Sequence, residues 1–252
     1  MTQIVALASV KGTGGVTSSA LGLAAAFGMR SDALLLEADP SGGSLLGWCP
    51  TLDPTAGGLY EAAFERERPG LSTFVQPLGD IGVVVAQGEP YRIAAALERP
   101  RGWRSMLDGI ADRVVVDLGR LFPSTPARAV AGVSDRLILV APPEPGALAA
   151  TVEWIGRGGQ HEATGMRIES SRIGLLTVDT GGDRRQRIDP HRLGDELGVE
   201  HVGHLPFDGA TLETVCRGAS LAHRSMRRSR LAPALSAVVE RLIVESRSKV
   251  RR

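Results

Sequence analysis

Residues 8–19 read "ASVKGTGGVTSS", between an apolar run, "IVAL", and a small-residue stretch, "ALGLAAAFG". A strand, a glycine-rich turn and a helix start in that order let backbone N–H groups and the positive end of a helix dipole converge on phosphate oxygens. Gly12, Gly14 and Gly15 permit the tight turn, with Lys11, Thr13 and Val16 between and beside them. Thr17 and Ser18 stand where hydroxyls reach Mg2+ and phosphate. In the pattern G-x-x-x-x-G-K-[ST], a lysine after the last glycine neutralises the β- and γ-phosphates. Here that place is Val16, and the pattern's first glycine is Val10. Loss of that cation weakens phosphate binding and slows phosphoryl transfer, because the charge is needed in ground and transition states alike. Backbone amides and Mg2+ are still able to hold a nucleotide weakly. The stretch therefore reads as a working nucleotide site, an impaired one or a structural turn.

Two acids stand at the ends of apolar runs. Asp39 follows the apolar run in "LLLEADPSGGSL" (34–45), and Asp117 closes the run in "RVVVDLG" (113–119). Each has an ordinary alternative: a strand-end Asp caps turns, and Thr17 serves as a plain helix-start residue.

Continuous apolar runs at 3–9, 33–38, 81–87, 113–118, 136–142 and 172–178, with a weaker one at 200–205, alternate with helix-like stretches. The helical stretches are 17–29, 57–66, 90–111, 124–132, 144–160, 189–198, 209–218 and a longer one at 231–247. Unbroken rather than alternating hydrophobicity says that both faces of each strand are covered. The pattern predicts a doubly wound α/β fold, a mostly parallel sheet flanked by helices, whose ligands bind at the carboxyl edge. Pro40, Pro142, Pro143 and Pro206 follow strand runs and place the intervening loops on that edge. A length of 252 residues suits one domain, 1–252, and no internal repeat or low-complexity linker divides it.

The loop resembles the deviant Walker A sequence K-G-G-x-G-K-[ST]-[ST] of the MinD/ParA family of P-loop ATPases. Lys11 falls on the signature lysine, Gly12 and Gly15 match, Thr13 replaces a glycine, and Thr17 with Ser18 match the hydroxyl pair. Further stretches are similar in order and spacing. Residues 34–45 look like the switch I strand, 113–119 like Walker B, 137–148 like a later strand, and 201–221 like the last strand with its loop and helix. The resemblance implies ATP and Mg2+ as cofactors, binding weakened by the missing lysine. It implies that Asp39 positions the attacking water and that Thr17 and Asp117 serve the metal. It also implies a nucleotide-sandwich homodimer in which Lys11 contacts the partner's phosphates. The family's adenine-reading asparagine has no counterpart in "LLTVDTGG" (175–182), which leaves base specificity open.

Arg184, Arg185 and Arg187 in "TGGDRRQRIDP" (180–190) are candidate substitute cations or a solvated basic loop. Residues 224–252 hold nine Arg or Lys against two Glu, a local +7 that leaves −6 for the rest of a chain of formal charge +1. Arg224, Arg227, Arg228 and Arg230 lack aromatic interleaving, so they suit nonspecific contact with DNA phosphates or an anionic membrane, or else a solvated surface. Leu235, Val238, Val239, Leu242 and Ile243 recur at helical spacing, which reads as a face packed on the body or a lipid-binding stripe. Two cysteines show neither metal spacing nor a disulfide framework, and the N-terminus lacks a signal-peptide pattern, so a cytoplasmic location is expected. Three functions follow: a positioning, partitioning or assembly factor with impaired nucleotide chemistry; an active ATP-dependent dimerisation switch using Lys11 or a loop arginine; a nonspecific DNA-binding partitioning protein.

Overall fold

The computed structural model describes residues 2–12, 14–64, 70–99, 102–122, 124–156, 168–180 and 199–250. These include eight strands: β1 (Gln3–Ser9), β2 (Ala33–Glu37), β3 (Gln76–Leu78), β4 (Ile81–Val84), β5 (Arg113–Arg120), β6 (Arg136–Ala141), β7 (Ile173–Val178) and β8 (Glu200–Leu205). They form one sheet in the order β3-β4-β2-β5-β1-β6-β7-β8. All neighbours are parallel except β3 and β4.

Every residue of β1 and β2 is buried, and the pleat divides their side chains between two cores. Ile4, Ala6, Ala8, Leu34, Leu36, Val114 and Val116 enter one. Val5, Leu7, Leu35 and Val115 enter the other, with helix α1 (Val16–Gly28) and the C-terminal helix Leu231–Val250. This two-sided burial is the physical reason that the strand runs are continuous. Helix α1 is rich in small residues because it is crowded: a Cβ at Gly22 would lie 3.0 Å from both Leu235 methyls. The apolar stripe of the C-terminal helix is thereby occupied, with Leu235, Val238, Val239 and Leu242 buried on the body. Gln3 Nε2 donates to Leu242 O at 3.4 Å, and Arg241 Nη1 donates to His201 O at 2.6 Å.

Three elements depart from the periodicity. The expected helix 90–111 is two, Pro90–Glu98 and Trp103–Leu107, because Arg99 precedes Pro100 and takes an extended conformation at ψ 129. Strand β3 is three residues long with an exposed Pro77 at the sheet edge, too short to show a pattern. Residues 224–228 form a 3-10 turn anchored by buried Met226. The expected helix 189–198, and the end of 144–160 beyond Gly156, lie outside the described residues.

The connection from β1 to β2 runs to one side of β1, and that from β5 to β6 crosses back to the other. This reversal opens a crevice at the carboxyl end of β1, and residues 10–12, 14 and 15 sit there.

Candidate functional site

The loop is tied to the sheet before it turns. Gly12 N donates to Ser9 Oγ at 3.0 Å, and Leu121 N donates to Ser9 O at 2.8 Å. Gly15 caps α1 with φ +87, and a Cβ there would lie 2.8 Å from Val178 Cγ2, so both conformation and space require glycine. Ser19 N and Ser18 Oγ both donate to Gly15 O, at 2.9 and 3.2 Å. The first turn of α1 carries no acid, which leaves its dipole available to an anion. Val16 is only 7% exposed and packs in the α1-side core, so its side chain brings no polar group to the loop. Lys11 is exposed. Thr13, and Arg184, Arg185 and Arg187, lie outside the described residues.

The ends of β2 and β5 bring three carboxylates together. Asp117 is fully buried, and burial pushes its carboxyl up to about 7, with Glu37 and Asp39 adding to the rise; the approaching Thr17 hydroxyl and the Gly119 amide oppose it. Gly119 N donates to Asp117 Oδ1 at 2.9 Å. Asp117 Oδ2 is buried with no partner of hydrogen-bond geometry, and such an orphaned acceptor is costly unless something else satisfies it. Asp39 accepts from Ser41 N at 2.8 Å, and partial burial raises its pKa. Its seat depends on Gly119, where φ is +60 and a Cβ would lie 2.1 Å from Asp39 Cγ.

Glu37 was not a candidate from the sequence, yet it organises this half. It is 1% exposed and accepts from Ser44 N at 2.6 Å, Leu45 N at 3.0 Å and Ala86 N at 3.0 Å. Burial raises its pKa against those three amides. A Cβ at Gly43 would lie 2.2 Å from Glu37 Oε2, so the chain after Asp39 wraps the buried carboxylate closely. A glutamate amid apolar strand residues was the available signal, since buried acids are rare without dedicated partners.

A hydroxyl and a carboxylate are hard oxygen donors of the kind that suit Mg2+, and the unsatisfied Asp117 Oδ2 beside Thr17 fits such an ion. Among the described residues no group of three or more His, Cys, Asp or Glu could hold a metal.

On the opposite side of the loop lies a cavity of about 400 Å³, lined by Gly15, Ser18, Val178, Leu205, Leu212 and Leu231, with Trp48 and Phe207 also contributing. Its lining is mainly apolar, with Asp179, Asp208 and Glu213 as its carboxylates. His204 Nε2 lies 3.3 Å from Asp179 Oδ1, and Asp208 caps the following helix by accepting from Thr211 N at 3.1 Å. Gly15 and Ser18 connect this cavity to the loop. The four tail arginines Arg224, Arg227, Arg228 and Arg230 are exposed, and none of them lines it.

The fold has close counterparts among solved structures. The cell-division ATPase MinD of Pyrococcus furiosus superposes with a TM-score of 0.73 at 20% identity, covering 96% of this chain and 98% of that one. The fold is that of the MinD/ParA P-loop ATPases. The septum site-determining protein MinD of Pyrococcus horikoshii, in complex with Mg-ADP, gives 0.72 at 20% identity over 96% of each chain. In sequence, the chain is 28% identical over 200 residues to the maintenance of carboxysome distribution protein A of Gloeobacter kilaueensis, covering 79% of this chain and 70% of that protein. No family model matches the chain. In this fold the loop with Gly15, the carboxylates Asp39 and Asp117 and the apolar cavity lie toward the carboxyl edge of the sheet, and Val16 opens α1.

Proposed function

We propose that this protein is a MinD/ParA-like positioning or assembly factor that binds a Mg2+–nucleotide weakly at residues 11–18 and hydrolyses it slowly or not at all. The observation that carries the reading is a contrast within one site. The acid half is complete down to an orphaned buried carboxylate oxygen, while the lysine position is a buried valine. The names of the relatives, which concern septum-site determination and carboxysome distribution, support the positioning role.

In this reading the amides of Gly14 and Gly15 with the N-terminus of α1 cradle the phosphates, Ser18 adds a hydroxyl, and Thr17 and Asp117 hold the metal. Mg2+ bound there would neutralise charge on the phosphate oxygens. Asp39 orients the attacking water, and Glu37 fixes the turn at Ser44 and Leu45 that follows it. The base and ribose occupy the apolar cavity beside Gly15. Exposed Lys11 faces outward, as an intersubunit contact in a homodimer requires. The protein works in the cytoplasm with a partner of the positioned machinery; among the described residues no helix is long and apolar enough to cross a membrane.

Calorimetric titration with Mg·ATP and Mg·ADP, followed by steady-state phosphate release, tests this. Val16→Lys is expected to raise turnover on the order of a hundredfold, the scale of restoring one transition-state-stabilising group. Robust wild-type turnover that Lys11→Ala abolishes would replace the proposal with an active dimerisation switch. Absence of nucleotide binding in the wild type would reduce the loop to a structural turn.

A further inference from the structure

Strand β5 does not run straight past the loop. Leu7 pairs with Asp117, but Ser9, two residues on, pairs with Arg120, three residues on, so β5 carries one extra residue. A glycine in the left-handed region within such an insertion marks a bulge, a device that re-aims the next side chain. Gly119, at φ +60, is that residue. The consequence falls on Arg120, which the bulge sets in register with Ser9, the residue that anchors the loop through Gly12.

Arg120 lies along the loop. A Cβ built at Gly12 would be 3.2 Å from Arg120 Cδ, 3.7 Å from Cγ and 3.8 Å from Cβ, so the aliphatic stem runs against the bare glycine backbone. The residue is exposed. Among the described residues its guanidinium makes no ion pair or hydrogen bond. A side chain whose stem is seated and whose charged head is uncommitted is poised for an anion at that place. Three residues upstream is Asp117, with its orphaned oxygen.

We infer that Arg120 supplies, from within the same chain, the phosphate-neutralising cation that Val16 does not. The inference rests on the nucleotide reading above and deepens it: the site takes a polyphosphate between the loop amides and a planar guanidinium, which binds phosphate in a two-pronged geometry unavailable to an ammonium. Seating by Gly12 of the same chain distinguishes this role from that of an arginine reaching in from a partner. It also explains Gly119 and Gly12 together, one turning the arginine toward the loop and the other leaving room for its stem.

The test uses the full chain and two probes with Mg2+, fluorescent N-methylanthraniloyl-ATP and inorganic tripolyphosphate, with adenosine as a phosphate-free control. Arg120→Ala is expected to weaken both phosphate-bearing probes roughly ten- to a hundredfold, the scale of a lost charge-assisted hydrogen bond, and to leave adenosine unchanged. Arg120→Lys falls between, because it keeps the charge without the fork. Thermal melts of the variants establish that they fold. Unchanged tripolyphosphate affinity in Arg120→Ala, or an equal loss for adenosine, overturns the inference. Tripolyphosphate binding that depends on Arg120 without any nucleotide binding supports Arg120 and overturns the nucleotide reading alone. A wild type that binds neither probe overturns both.

Discussion

On one side of β1 the ends of β2 and β5 gather Glu37, Asp39 and Asp117 around a network of backbone donors. On the other side, the ends of β7 and β8 and the helix after them gather Val178, Leu205 and Leu212 around a cavity of about 400 Å³. The halves share a sheet edge and the loop between them but differ in what they leave unsatisfied. The first has a surplus of negative charge and an orphaned acceptor, which calls for cations. The second has uncovered apolar surface with carboxylates beside it, which calls for a flat organic group bearing hydrogen-bond donors. On the nucleotide reading proposed above, Mg2+ would meet the acids of the first half and the base would meet the apolar cavity of the second.

The largest expected effect is at the acid half. Burial pushes the Asp117 carboxyl up to about 7 in the folded protein, well above the 3.8 usual for an aspartate. Between those values the unfolded chain gives up its proton while the folded one keeps it, so stability falls as pH rises through this window and the full cost is present above 7. Asp117→Asn removes the ionisation, and the ligand-free variant is expected to be more stable at pH 8 by on the order of 4 kcal/mol, a gain that vanishes near pH 4. Denaturant unfolding at both pH values measures it. The variant should also lose its stabilisation by Mg2+ with nucleotide, whereas the wild type should bind the metal more weakly as pH falls below 7. A gain independent of pH would show that the carboxylate is not the source of the strain.

An intermediate effect belongs to the apolar half. Leu212→Trp fills part of the cavity, and the expected result is a roughly tenfold loss of nucleotide affinity from steric exclusion, with tripolyphosphate binding retained. Equal losses for both ligands would mean that the halves are not separable and that the substitution has moved the loop. Competition between the two ligands reads this directly.

The smallest effect on the site is expected from the exposed arginines, which lie outside both halves. Changing Arg224, Arg227, Arg228 and Arg230 together to Ala should leave stability within ~0.5 kcal/mol and nucleotide affinity unaltered. Binding to duplex DNA, measured at low and near-physiological salt, should be sequence-independent, fall steeply with salt and weaken in the variant. An altered nucleotide affinity would mean that the remote basic field reaches the edge. Undiminished DNA binding would remove this patch as the contact surface.

Much of this arrangement was legible in the chain itself. The strand–glycine–helix order of residues 3–28, the places of Asp39 and Asp117 after strand runs and the parallel sheet all follow from contiguous patterns, because a strand–turn–helix is built from neighbouring residues and a doubly buried strand must be apolar throughout. The split of 90–111 was also written there, in Pro100, although the helical periodicity on either side concealed it. Strand β3 was not, since three residues carry no period. What only the tertiary structure decided is which distant groups meet. Glu37 became an organiser because Ser44, Leu45 and Ala86 turned their amides toward it. Asp39 kept its seat because Gly119 has no side chain, and Arg120 reached Gly12 because β5 gained a residue opposite β1. Those outcomes depend on register, burial and the space left by missing Cβ atoms, quantities that exist only once the strands are side by side.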